Sequence, residues 1–81
     1  MKLTGDRREV LRVLASARFV PLYEIMKLNQ ANFRARISEL RHQLGWDIPK
    51  PTLEKNRRGN MMSTYRMPAK ERQRARKELN K

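Results

Sequence analysis

The sequence predicts an α+β, mainly α fold in which three helices are followed by a β-hairpin and a basic, helix-favouring tail. Three observations carry this expectation: apolar residues at helical spacing in each of three segments before Gly45, a change to proline, glycine, asparagine and β-prone residues after it, and a Lys/Arg-rich stretch beyond Pro68. At 81 residues the chain has room for one core, because a domain this small buries only about 60% of its unfolded surface. The expected division is a folded unit over residues 1–67 and a tail over 68–81. Leu, Ile, Val and Phe thin out beyond Leu53, so the core is expected upstream of it.

Thr4 is placed to cap a first helix over 5–17, with Asp6 and Glu9 near its positive end and Val10, Leu11, Val13, Leu14 and Ala17 forming its apolar face. Arg18-Phe19-Val20 is β-prone and stops at Pro21, whose fixed φ and missing N–H suit the first turn of a second helix. That helix carries Leu22, Ile25, Met26 and Leu28 and ends at Asn29-Gln30. The third helix, 31–44, is the clearest, since Phe33, Ile37, Leu40 and Leu44 are spaced 4, 3 and 4 apart and make one stripe. Gly45 supplies a left-handed stop, and Trp46 is placed to fold back on the helix end. Two helices joined by a tight turn, the second with an inward stripe, have the plan of a helix-turn-helix.

Residues 48–67 read as a hairpin. Pro49 and Pro51 cannot donate to a ladder, so the first strand is an edge, irregular, or confined to 52–55. Asn56 to Asn60 carry turn chemistry, and the alternation of Met61, Ser63, Tyr65 and Met67 suits a half-buried second strand. Met62 falls on the more exposed side. In the tail, Ala75 and Leu79 are four apart, which is the pattern of a marginal helix or a frayed end.

Charge narrows the function. Twenty Lys and Arg against eight Asp and Glu give a formal +12, and so many like charges on a small body are relieved by a polyanion whose condensed counterions are released. Absence of cysteine removes disulfides and thiolate metal sites, and a cytoplasmic location is the expectation. No apolar run approaches the roughly 20 residues of a membrane span, and no signal peptide is visible at the N-terminus. Catalysis finds little purchase: His42 is the only histidine, the acids are dispersed, and the three glycines stand far apart, so no enzyme activity, metal, cofactor or small-molecule ligand is expected.

The order of three helices, a turn and a hairpin with a basic tip resembles the winged helix-turn-helix superfamily. Arg36-Ile37-Ser38-Glu39-Leu40-Arg41, then Leu44-Gly45-Trp46, Gly59 and Tyr65-Arg66-Met67, resemble a small subfamily common in bacteriophage genomes, over Thr4 to Met67. The doubled proline before the hairpin departs from that pattern. The resemblance implies that helix 31–44 is a recognition helix and that hairpin 48–67 is a wing; together with the charge, it leads to the expectation of a duplex-DNA-binding protein, a phage or prokaryotic transcriptional regulator or recombination accessory factor.

Opposite the apolar stripe lie Ala31, Asn32, Ala35, Ser38, Glu39 and His42, with Arg34, Arg36 and Arg41 on the flanks. Small Ala31, Ala35 and Ser38 allow close approach to a groove, Asn32 can bond adenine, Arg34 or Arg36 can address guanine or phosphate, and Gln30 and the flanking Arg41 are further candidate contacts. Arg36 with Glu39 also has the spacing of an i,i+3 ion pair, which is the preferred reading of Arg36. Glu39 repels phosphate, which puts the N-terminal half of the helix nearer DNA. Lys55, Arg57 and Arg58 crowd the hairpin tip, and Arg72, Arg74 and Arg76 in the tail suit nonspecific phosphate contact. Trp46, Tyr23 and Tyr65 read as core or rim packing rather than a base-stacking platform, being grouped on no single strand. Two other readings remain open: a basic protein-interaction module, for example a phage inhibitor of a host nucleic-acid enzyme, and an RNA-binding winged domain. Monomer and homodimer are both compatible with the sequence.

Overall fold

The computed structural model describes residue 3 and residues 5–28, 32–55 and 57–80. The elements run α1 (Gly5–Leu14), β1 (Val20–Pro21), α2 (Leu22–Met26), α3 (Phe33–His42), β2 (Thr52–Lys55), β3 (Met61–Tyr65) and α4 (Ala69–Leu79). They form a small α+β fold with a three-stranded antiparallel sheet in the order β1-β3-β2. Thr4 and the junction at 29–31 lie outside the described residues.

The helix ends follow from local chemistry. α1 stops at Leu14 rather than at the expected 17, because the Ser16 hydroxyl and N–H both donate to the Val13 carbonyl, at 2.6 and 3.1 Å. Pro21 does not open α2. It holds extended backbone (φ −63, ψ 151) and pairs with Thr64 at the sheet edge, where its missing N–H costs nothing, and α2 begins one residue later. α2 closes at Met26 with the Lys27 N–H bonded to the Tyr23 carbonyl at 3.0 Å. Gly45 takes φ +73, as the stop after α3 requires, and the Trp46 N–H turns back to the Leu40 carbonyl at 2.9 Å.

β1 was legible only as a β-prone stretch, since two residues make a strand only through a distant partner: Val20 lies opposite Tyr65. β2 is confined to 52–55, as the preceding prolines dictate, and Thr52, Leu53, Glu54 and Lys55 face Thr64, Ser63, Met62 and Met61.

The core gathers Val10, Leu11, Leu14 and Ala15 around α1, Val20 from β1, Ile25 from α2, Ile37 and Leu40 from α3, and Trp46 and Ile48 from the loop beyond it. Tyr65, Met67 and Ala75 complete it, so the core is not confined upstream of Leu53. The expectation failed because residues outside the aliphatic set do the burying: an aromatic, a flexible thioether and an alanine small enough for two helices to approach closely. Each fully buried leucine or isoleucine stabilises by about 1.5–3 kcal/mol relative to exposure. The segment set apart as a tail contributes an 11-residue helix, and Ala75 is wholly buried. Arg8 of α1 donates a guanidinium N–H to the Leu79 carbonyl, satisfying one of the orphan acceptors at the end of α4.

Alternation in β3 puts Tyr65 and, beyond it, Met67 into the core, but Met61 on the same side is 55% exposed. At that end the strand pair has left the helical body, so an inward-pointing residue meets solvent; Leu53 is likewise exposed. Met62, expected on the open side, is half-buried.

Candidate functional site

α3 is held from one side. Ile37 and Leu40 are buried and Phe33 and Leu44 pack partly buried against the core, so all four residues of the expected stripe face inward. On the other side Asn32, Arg34, Ser38 and His42 are exposed and Ala35 is half-buried. Asn32 is the N-cap residue, yet its carboxamide makes no capping hydrogen bond, while its carbonyl accepts from the N–H groups of Ala35 and Arg36. The Arg34 guanidinium stands 5.8 Å from the Phe33 ring centroid.

Three charged groups on this helix are engaged within the fold. Glu39 does not face outward: its carboxylate sits between α1 and α3, with Arg7 Nη2 at 3.0 Å from Oε2 and Arg36 Nε at 2.7 Å from Oε1. The contact with Arg7 is a hydrogen bond, whereas that with Arg36 is ionic without hydrogen-bond geometry. Arg36 is thus a half-buried partner of Glu39, which is the i,i+3 pairing its spacing allowed, and not a free groove contact. Arg41 donates its Nε–H to the Ile48 carbonyl at 2.7 Å and is engaged in holding the loop after α3. Gln30 and Ala31 lie outside the described residues.

The hairpin keeps its cations at the surface. Lys55, Arg57 and Arg58 are exposed around a turn in which Gly59 adopts φ +83, a conformation costly for any residue with a Cβ. At its base Arg66 grips Glu54 through two donors, with Nε 2.9 Å from Oε2, and Thr52 Oγ1 donates to the same oxygen at 2.9 Å. These hydrogen bonds, Arg66 first and Thr52 second, hold the Glu54 carboxyl below its ordinary range. Between the hairpin and the start of α2 opens a groove of about 610 Å³, lined by Phe19, Pro21, Tyr23, Lys55, Arg57, Arg58, Asn60 and Met62. Its aromatic side chains are exposed, whereas Trp46 and Tyr65 are buried in the core. Sequence reasoning missed the groove because Phe19 and Tyr23 meet Met62 only across the β1–β3 pairing.

α4 divides its cations. Arg74 stacks 4.2 Å from the Trp46 ring centroid and pairs with Glu71 at 3.1 Å, and Glu71 also accepts the Asp47 N–H at 2.8 Å. These contacts pin α4 to the loop after α3. Arg72 is half-buried, and its Nε makes no hydrogen bond among the described residues. Arg76 is exposed beside Arg8 and Arg12 in a shallow groove of about 290 Å³. Of the three tail arginines expected to meet phosphate, Arg76 alone is exposed without a structural contact described above. Among the described residues no three His, Cys, Asp or Glu side chains converge as a metal site, and no helix is long and apolar enough to cross a membrane.

No family model, curated protein or solved structure matches this chain.

Proposed function

We propose that this chain is a winged helix-turn-helix protein that binds duplex DNA, with α3 as the recognition helix in the major groove and the β2–β3 hairpin as the wing. One observation carries the reading: α3 buries Ile37 and Leu40 while leaving Asn32, Arg34 and Ser38 exposed, on a chain of net charge +12. A helix fixed along one side, with small and hydrogen-bonding residues on the other, suits insertion into a groove about 12 Å wide. The sheet order supports it, because β1, from between the first two helices, pairs with β3 and thereby anchors a hairpin whose cations project beyond the body. Asn32 and Arg34 are the residues proposed to read base edges, Ser38 and Ala35 to permit close approach, and Lys55, Arg57 and Arg76 to meet phosphate. Arg36 and Arg41 position the helix and its following loop. A regulatory or recombination-accessory role in a phage or prokaryote fits such binding.

The test is selection of bound duplexes from a random pool, followed by titration at several salt concentrations. A consensus should emerge, palindromic if the protein binds as a homodimer. Asn32→Ala or Arg34→Ala should lose discrimination worth about 1–3 kcal/mol per contact, whereas Lys55→Ala with Arg57→Ala should weaken every site alike and lower the salt slope by about 2. Absence of duplex binding near physiological salt overturns the proposal.

A further inference from the structure

The groove beside the hairpin has a composition that a blunt duplex does not use. Phe19 and Tyr23 are 53% and 43% exposed, and with Pro21 and Met62 they make an apolar floor, while Lys55 and Arg57 stand on the rim. Each ring already has a cation near it: Arg66 at 5.2 Å from the Phe19 centroid and Lys27 at 5.3 Å from that of Tyr23. A volume of about 610 Å³ falls within the range of sites that hold compact organic groups. Paired DNA presents phosphates outward and keeps its base faces stacked inside, so it satisfies the rim and leaves the aromatic floor wet. An unpaired nucleotide offers both halves at once, a planar π-face for the rings and an attached anion for the cations.

We propose that this groove binds an unpaired nucleotide, so that the protein prefers duplexes carrying a short single-stranded extension to blunt ones. The inference rests on the duplex-binding reading for the rest of the surface and adds a substrate feature to it. Stacking is its distinguishing component, because phosphate attraction alone increases for any added strand.

The experiment compares three duplexes of one sequence: blunt, with a three-nucleotide extension containing 2-aminopurine, and with a three-residue abasic extension of equal charge. The full chain should bind the extended duplex about 5- to 100-fold more tightly than the abasic one, the range of a single base–aromatic stack, with quenching of the 2-aminopurine. Tyr23→Ala should abolish the difference and the quenching while leaving blunt-duplex affinity and thermal midpoint unchanged, and Tyr23→Phe should keep both. Equal affinity for the base-bearing and abasic extensions, with blunt binding intact, overturns the groove assignment alone. Capture of an acidic aromatic peptide, sensitive to Tyr23→Ala and with no preference for the extended duplex, overturns it in favour of protein docking. Tyr23-dependent binding of the single strand without blunt-duplex binding supports the groove while overturning the duplex reading.

Discussion

The helical body and the tip of the hairpin treat their cations differently, although at the hairpin's base Arg66 is held by Glu54. In the body, Arg7 and Arg36 share Glu39, Arg8 caps the Leu79 carbonyl, Arg41 holds the Ile48 carbonyl, and Arg74 lies between Glu71 and Trp46. In the hairpin, Lys55 and Arg57 stand exposed over an apolar groove. Net charge therefore overstates the surface offered to a ligand. An arginine in the body earns its place by fixing α3 and α4, whereas Lys55 and Arg57 at the tip meet solvent.

The contrast is broken most severely from inside the body. Leu40→Ala should cost about 2–5 kcal/mol, a large share of the total for a domain this small, and appear in denaturant titration as a large fall in midpoint with weakened binding. Removing the shared acid comes next. Glu39→Ala leaves Arg7 and Arg36 facing each other half-buried, and a loss of about 1–3 kcal/mol is expected; a variant as stable as the parent would mean that the two arginines are not organised by Glu39. Gly59→Ala forces a Cβ into φ +83, which costs roughly 1–2 kcal/mol. Because nothing lies within 4 Å of the new Cβ, the cost is backbone strain rather than collision, and amide exchange should rise in β2 and β3 before it rises in α1.

The Glu54–Arg66 pair sharpens the comparison through pH. A carboxyl held below its ordinary value of 4.5 stabilises the fold above that pH, and the contribution is lost as pH falls through the lowered value. Thermal midpoints should therefore decline more steeply for the parent than for Glu54→Gln on acidification below 4.5, and parallel curves would show that the pair contributes nothing. Smallest of all, Lys55→Ala with Arg57→Ala should change stability by less than about 0.5 kcal/mol. Any larger loss would mean that the hairpin tip, like the body, uses its cations internally.

The same contrast explains what was legible in the sequence. Phe33, Ile37, Leu40 and Leu44 announced α3 and its buried side through spacing alone, Gly45 its stop, and the two prolines a restricted β2 whose start at 52 was one of three open outcomes, because each signal is carried within a few residues. Arg7 with Glu39 and Arg8 with Leu79 are separated by 32 and 71 residues, and no local pattern distinguishes such arginines from solvated ones. β1 and the groove depend on the Val20–Tyr65 pairing for the same reason. Ala75 was legible as an apolar position of a marginal tail helix but not as a core residue, because its value lies in being small.

The seam between α1 and α4 has a kinetic consequence. It joins residues 71 apart in sequence, so its closure requires a long intervening stretch to be organised first. During synthesis α1 is made before α4 and keeps that flank wetted until Ala75 is made. The joint is thus expected to form after the folding barrier and to be an early place for the native state to open.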